Sequence, residues 1–268
     1  MHDSLQSYMK VGIVHFMVYP ETMRGEGPIL ETIEKIALDG FFSAIEVTHI
    51  KDPQVREATA RLLGESHLAI GFGAQPILLS QRLNLNALNA DERGEAKGLL
   101  VRSLKEIAAY AQGKGLCLFL ETFDAKIDKR CLIGPSEDAL WVARGVRKEQ
   151  ANFGLMVDLS HLPLLGETPR HCLGLLKDHL AHIHIGNCVL KDKAHLAYGD
   201  WHPRFGLPGG ENDVEELAMF LRELFNVGYL GQGKRPVVAF EVKPLPGERS
   251  EAIIAGAKRT LREAWARI

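Results

Sequence analysis

Four short apolar runs in this chain each close on an acid or an imidazole. They are LCLFLE, ending at Glu121; FGLMVD, ending at Asp158; LAHIHI, with His184 next to its end; and PVVAFE, ending at Glu241. A run of four to six apolar residues stopped by one polar side chain is the pattern of a buried parallel strand that delivers that side chain to the end of a sheet. For a single case the simpler reading is a strand end held by an ion pair or a hydrogen bond. Four in succession, at the same end of alternating elements, make convergence on one point the better account. Three carboxylates and one imidazole form a hard oxygen and nitrogen set. Such a set suits Mn, Mg, Co or Zn and suits copper or an iron–sulfur cluster less well.

The rest of the chain supplies the elements around those strands. KVGIVHF (residues 10–16) predicts a first strand. GEGPILETIEKIALDG predicts a helix with Pro28 in its first turn, Leu30, Ile33, Ile36 and Ala37 on one face, and Gly40 as the stop. SAIEVTHI reads as a second strand with Ala44 and Glu46 inward and His49 in the loop beyond, and LAIGFGAQ as a third, with a helix over 53–66 between them. A polar loop, SQRLNLNALNAD, leads into a long amphipathic helix over about 92–112 that carries Leu99, Leu100, Leu104, Ile107 and Ala111 on one face. Further helices start near Ser136 and after Pro169, Asp213 and Glu216 form a capping-box pattern, and a closing helix covers 250–267. Strict alternation calls for a parallel sheet. At 268 residues, with no Gly-rich nucleotide fingerprint, a TIM-type (β/α) barrel is the leading choice, as a single domain over 1–268. Seven strands are visible, so the barrel is expected to be seven-stranded or irregular.

Composition narrows the function classes. Lys and Arg number 32 against 34 Asp and Glu, for a net charge of −2, so there is no electrostatic footprint for nucleic acid or an anionic membrane. A small molecule is the expected partner. Cys117, Cys131, Cys172 and Cys188 lack CxxC spacing, which argues against a structural zinc knuckle or a disulfide framework. The first ten residues lack a signal-peptide core, and the longest apolar stretch, about 68–79, is too short to span a bilayer. A soluble, cytoplasmic protein is expected, and a homo-oligomer is common for such enzymes.

In a barrel, residues closing strands are placed to react and residues opening them are not. His161, three residues past Asp158, is placed for a substrate hydroxyl or a second metal. His182 shares a face with His184 and should sit one layer deeper, in a supporting role. The segment 187–212 has no apolar periodicity and is longer than a connection needs, which marks it as functional or disordered. Its YGDWHPRFGLPGG stretch brings together Asp200, Trp201, His202 and Arg204. Asp200 and His202, with His161, are candidate ligands of a second metal, while His202 and Arg204 are candidates for substrate contact. Lys243, two residues past Glu241, can orient substrate, and Lys126, Lys129 and Arg130 form a small basic cluster. Trp201 and Phe16 offer flat surfaces to a sugar ring, although core packing is the commoner use of an aromatic.

The ordered set Glu121, Asp158-Leu-Ser-His161, His182-Ile-His184 and Glu241 resembles the xylose isomerase-like TIM-barrel superfamily. That group holds the sugar phosphate isomerases and epimerases, including ketose 3-epimerases and inosose dehydratases, together with endonuclease IV. The resemblance implies Glu121, Asp158, His184 and Glu241 as metal ligands, Glu121 and Glu241 as a catalytic acid/base pair, and His161 as a substrate contact. There are departures. The epimerases carry a further glutamate six residues past the first ligand, where this chain has Ile127. Endonuclease IV has an Asp-x-His like Asp200-Trp-His202 but takes two more histidines from earlier strands, where the third strand here offers Gln75. The function expected is a divalent-metal-dependent isomerase or epimerase acting on a small sugar-derived carbonyl compound through an enediolate. The alternatives are a metal-dependent dehydratase or lyase, an endonuclease IV-like phosphodiester hydrolase, and a barrel that binds a sugar or metal without turnover.

Overall fold

A computed structural model describes residues 4–74 and 90–268 of the chain. The loop SQRLNLNALNAD up to residue 89, and Gln75, lie outside the described residues. Seven strands run in chain order among those described: β1 (Lys10–Ile13), β2 (Ala44–Val47), β3 (Ala69–Phe72), β4 (Leu118–Glu121), β5 (Phe153–Asp158), β6 (Leu180–Ile185) and β7 (Val237–Phe240). All pair in parallel, as a five-stranded sheet in the order β1-β7-β6-β5-β4 and a two-stranded sheet of β2 with β3. The two sheets meet where Ser43 N donates to Val11 O at 2.8 Å and Val14 bridges to Glu46. The result is the expected (β/α) barrel wall, read as β3-β2-β1-β7-β6-β5-β4. Among the described residues β3 and β4 end the wall without pairing to each other.

The helices are α1 (His15–Val18), α2 (Ile29–Ala37), α3 (Pro53–Glu65), α4 (Ala90–Gln112), α5 (Ser136–Arg147), α6 (His161–Leu165), α7 (Pro169–Leu176), α8 (Val214–Asn226) and α9 (Ser250–Trp265). The signals that stop and start them are chemical. Asp52 accepts from Gln54 N and Val55 N ahead of Pro53, Thr168 caps α7, and the Asp213–Glu216 capping box opens α8. The main core lies between the wall and the helices, where Ile33, Ile36, Leu173, Leu176, Leu217, Phe220 and Leu261 are buried. At one level inside the barrel the residues are small. A Cβ on Gly12 would lie 3.0 Å from that of Ala239 and 3.2 Å from that of Ala44, so this level of the lumen closes on Gly and Ala. Among the described residues no helix is long and apolar enough to cross a membrane.

Two expectations about elements are corrected. The first strand stops at Ile13, and His15 and Phe16 begin a helical turn whose apolar side chains Phe16 and Met17 pack with Val14 in a small cluster of their own. Phe16 is thereby core and not a sugar platform. On α4 the buried face is Val101, Leu104 and Ala108, whereas Leu99 and Ile107 are 46% and 51% exposed. The stripe at 101, 104 and 108 turns toward α5, where a Cβ on Gly145 would touch Val101, and it is this packing that sets the helix rotation.

Candidate metal centre at the strand ends

Glu121 closes β4, Asp158 closes β5, His184 lies one residue inside the end of β6, and Glu241 follows the last residue of β7. Parallel register brings them level: Asp158 pairs with His184, and Ile185 pairs with Phe240 next to Glu241. The four side chains meet, with one ligand atom from each within 4.8 Å of all the others. His184 Nδ1 stands at the middle, 2.7 Å from Glu241 Oε2 and 3.8 Å from both Glu121 Oε1 and Asp158 Oδ2. Those last two oxygens are buried and have no hydrogen-bond partner among the described residues. Two buried, unpaired carboxylate oxygens are costly unless something cationic lies between them. The donor set, its spacing and these two orphan atoms fit a divalent ion.

The same crowding splits the proton affinities of the group. Burial, and then the carboxylate of Glu241, push Glu121 up to about 8. Burial also raises Asp158. Burial would raise Glu241 too, but His202 and His184 outweigh it and bring that carboxyl down to about 2. His184 loses basicity through burial and regains more from Glu46 and Glu241, so its imidazole is held well above the usual range.

A second group of side chains adjoins the first and shares Asp158 with it. Asp158, His161 and His202 bring ligand atoms within 4.8 Å of one another. Asp200 Oδ1 accepts from both histidines, from His161 Nε2 at 3.0 Å and His202 Nε2 at 2.7 Å. His161 Nδ1 donates to Thr122 O at 2.7 Å, and His202 Nδ1 lies 3.2 Å from Ser160 Oγ. The loop that carries Asp200 and His202 is held by two buried asparagines. Asn187 Oδ1 accepts from Cys188 N and Asn212 N, and Asn212 Nδ2 donates to Gly186 O. His202 itself has φ +54°, a left-handed backbone rare for a residue with a side chain and commonly found at functional sites. The 187–212 segment thereby brings His202 to 3.8 Å from Asp158 and 3.9 Å from Glu241. His161 and Asp200 fix each other: burial opposes both charges, yet Asp200 holds His161 well above its usual range while His161 and His202 hold Asp200 well below its own.

The other expected residues separate. Lys129 is brought in, its ammonium 3.4 Å from Asp200 Oδ2, on a loop wound around buried Asp124, whose carboxylate accepts from the backbone of Lys126, Ile127, Asp128 and Lys129. Lys126 and Arg130 are exposed. Lys243 places its ammonium 4.2 Å from the centroid of the Trp201 ring, at the rim. Arg204 is set apart. Its guanidinium pairs with Glu248 at 2.9 Å, an anchor that holds it to the loop before α9 instead of the cluster. His182 does lie a layer below His184, and its Nε2 donates to Glu46 Oε1 at 2.8 Å. Glu46 is the residue the site reading missed. The alternation with Ala44 pointed it inward, but nothing nearby in sequence showed that it reaches two histidines of β6.

No family model and no curated protein matches the chain by sequence. Solved structures match it in fold. An L-ribulose 3-epimerase superposes with a TM-score of 0.63 at 16% identity, covering 97% of this chain and 96% of its own. A D-allulose 3-epimerase from Methylomonas sp. gives 0.62 at 16% identity, over 96% and 98%. A family 2 AP endonuclease from Brucella melitensis gives 0.58 at 15% identity, over 92% and 97%. The fold implied by the resemblance is thus the fold of the chain.

Proposed function

We propose that this barrel is a divalent-metal-dependent isomerase or epimerase for a small sugar-derived carbonyl compound. The observation that carries the reading is the placement of Glu121 and Glu241 on one imidazole nitrogen of His184, at 3.8 and 2.7 Å, with two orphan carboxylate oxygens facing it. Glu121, Asp158, His184 and Glu241 would hold the ion, taken from Mn, Mg, Co or Zn. When bound, such an ion stabilises the negative charge that develops as an α-hydroxy carbonyl compound becomes an enediolate. The fold is also that of several ketose epimerases, which supports the class without fixing the reaction.

The chain's own groups supply the proton chemistry. Glu121 and Glu241 reach the same imidazole from different parts of the barrel wall, a placement suited to one carboxyl acting as base and the other as acid. Glu241 takes the α proton of the substrate and Glu121 delivers one from the other face. Return to the same carbon gives epimerisation, and return to the adjacent carbon gives aldose–ketose isomerisation. His161, His202 and Lys243 stand around the mouth as substrate contacts, with Trp201 beneath the Lys243 ammonium. Expulsion of a β-substituent from the same enediolate would make the protein a dehydratase or lyase.

One observation favours a second reading, a two-ion phosphodiester hydrolase: Asp158, His161 and His202 come together beside the first group. Ion stoichiometry and substrate type separate the two. The test is solvent deuterium exchange at the α carbon of a panel of ketoses, inososes and sugar acids with the metal-loaded protein. Exchange that disappears in Glu121→Gln and Glu241→Gln, while both variants still bind the ion, supports the proposal. Exchange absent from the wild type with every compound contradicts it.

A further inference from the structure

Glu46 leaves β2 and crosses the lumen to β6, a strand separated from it in the wall by β1 and β7. Its Oε1 lies 2.8 Å from His182 Nε2 and 2.9 Å from His184 Nε2, and all three side chains are buried. A carboxylate can only accept, so both imidazoles present an N–H at Nε2. Both contacts have hydrogen-bond length, and Glu46 carries no orphaned oxygen of the kind that Glu121 and Asp158 turn toward the other nitrogen of His184. They are hydrogen bonds. The crossing needs room, and Gly71 on β3 provides it: a Cβ there would lie 2.8 Å from Glu46 Cγ. Phe119 of β4 stacks on a face of His182, with centroids 5.6 Å apart and planes 17° from parallel, so the lower imidazole is held at one edge by Glu46 and on one face by Phe119.

We propose that Glu46 is a positioning residue that aims His184. By taking the Nε2–H it leaves Nδ1 as the nitrogen that faces Glu121, Asp158 and Glu241, and through His182 it is itself held in place. Histidines that ligate metals commonly give their other N–H to a carboxylate, and loss of that partner typically costs 10- to 100-fold in metal affinity. The inference rests on the metal-centre reading above and adds to it a fifth residue that touches no ion. The carboxylate of Glu46 is buried on the inner side of β2.

The test uses the full chain and Mn²⁺ or Zn²⁺ as the probe. In Glu46→Ala, calorimetric titration should show the same ion stoichiometry as wild type with Kd raised 10- to 100-fold. Glu46→Gln, which keeps an acceptor, should recover most of that loss. In the Zn²⁺-loaded wild type, nitrogen NMR should show His184 protonated at Nε2 in slow exchange with water, a signal that a merely structural role would leave intact in the alanine variant and that positioning removes. Thermal unfolding of each variant without metal checks that the barrel is folded. An unchanged Kd in a folded Glu46→Ala overturns the inference alone. Loss of one bound equivalent also overturns it, because Glu46 would then be a ligand. A wild type that binds neither ion overturns the metal centre and this inference together.

Discussion

Glu121 Oε1 and Glu241 Oε2 approach the same nitrogen of His184 from two different strands, at 3.8 and 2.7 Å. One of these carboxyls is pushed up to about 8 and the other down to about 2. At neutral pH Glu121 therefore holds a proton that an incoming cation must displace, and His184, kept well above its usual range by Glu46 and Glu241 against the effect of burial, holds another at the nitrogen facing the site. Calorimetric titration of Mn²⁺ in buffers of different ionisation enthalpy should show at least one proton released per ion near pH 7, with apparent affinity rising from pH 6 to pH 8. Affinity independent of pH over that interval contradicts the assignment.

The raised affinity of Glu121 also sets a stability slope. Its carboxyl is protonated in folded and unfolded chains alike below about 4.5 and ionised in both above about 8. Between those values the folded chain binds more protons, so stability without metal falls as pH rises. Urea unfolding across this window in a metal-chelating buffer should show the fall, and Glu121→Gln should remove the part of it below about 6.5, where the raised histidines His161, His184 and His202 do not yet add a slope of the same sign.

Asp200 behaves in the opposite sense. His161 and His202 hold its carboxyl well below the ordinary range even though burial works against them. The stability it contributes is present above the unfolded carboxylate value of about 3.9 and is lost as pH falls through that value toward the depressed folded one. Asp200→Asn takes from two buried imidazoles the carboxylate that both hydrogen-bond, leaving His202 to Glu241 and His161 to Asp158 and Glu121, and a loss of about 3 kcal/mol is expected at pH 7. A change within about 0.5 kcal/mol by denaturant unfolding would show that the histidines do not depend on it.

Much of the site was legible because it is written locally. Glu121, Asp158 and Glu241 each end an apolar run and His184 stands next to the end of another, and it is the repetition of that pattern on alternating elements that points to one place. Pairing across the chain was not legible. Glu248 takes Arg204 away from the cluster from 44 residues further on, and the sequence around Arg204 carries no sign of it. Glu46 sits inside a short strand between Ile45 and Val47, where alternation gives its face but not the 136 and 138 residues of separation from its two partners. The burial of α4 was misread for a related reason. Leu99 and Ile107 share a helical face with Leu100 and Leu104, and only the position of α5 shows that the contact is centred on Val101, Leu104 and Ala108.

Gly71 offers a check on the barrel floor that does not touch a polar group. A methyl added there meets Glu46 Cγ at 2.8 Å, so Gly71→Ala must displace the carboxylate or the strand. Overpacking of this kind costs typically 1–3 kcal/mol. Unfolding should show a loss of about that size, together with weaker Mn²⁺ binding. A neutral effect on both would mean that the lumen has slack at this level.

Anomalous diffraction from crystals of the Mn²⁺-loaded protein tests most directly whether one ion is held by the four strand-end groups. The expected result is a peak bounded by Glu121, Asp158, His184 Nδ1 and Glu241, each about 2.0–2.4 Å away. A protein that takes up manganese with no peak among these four side chains would contradict it.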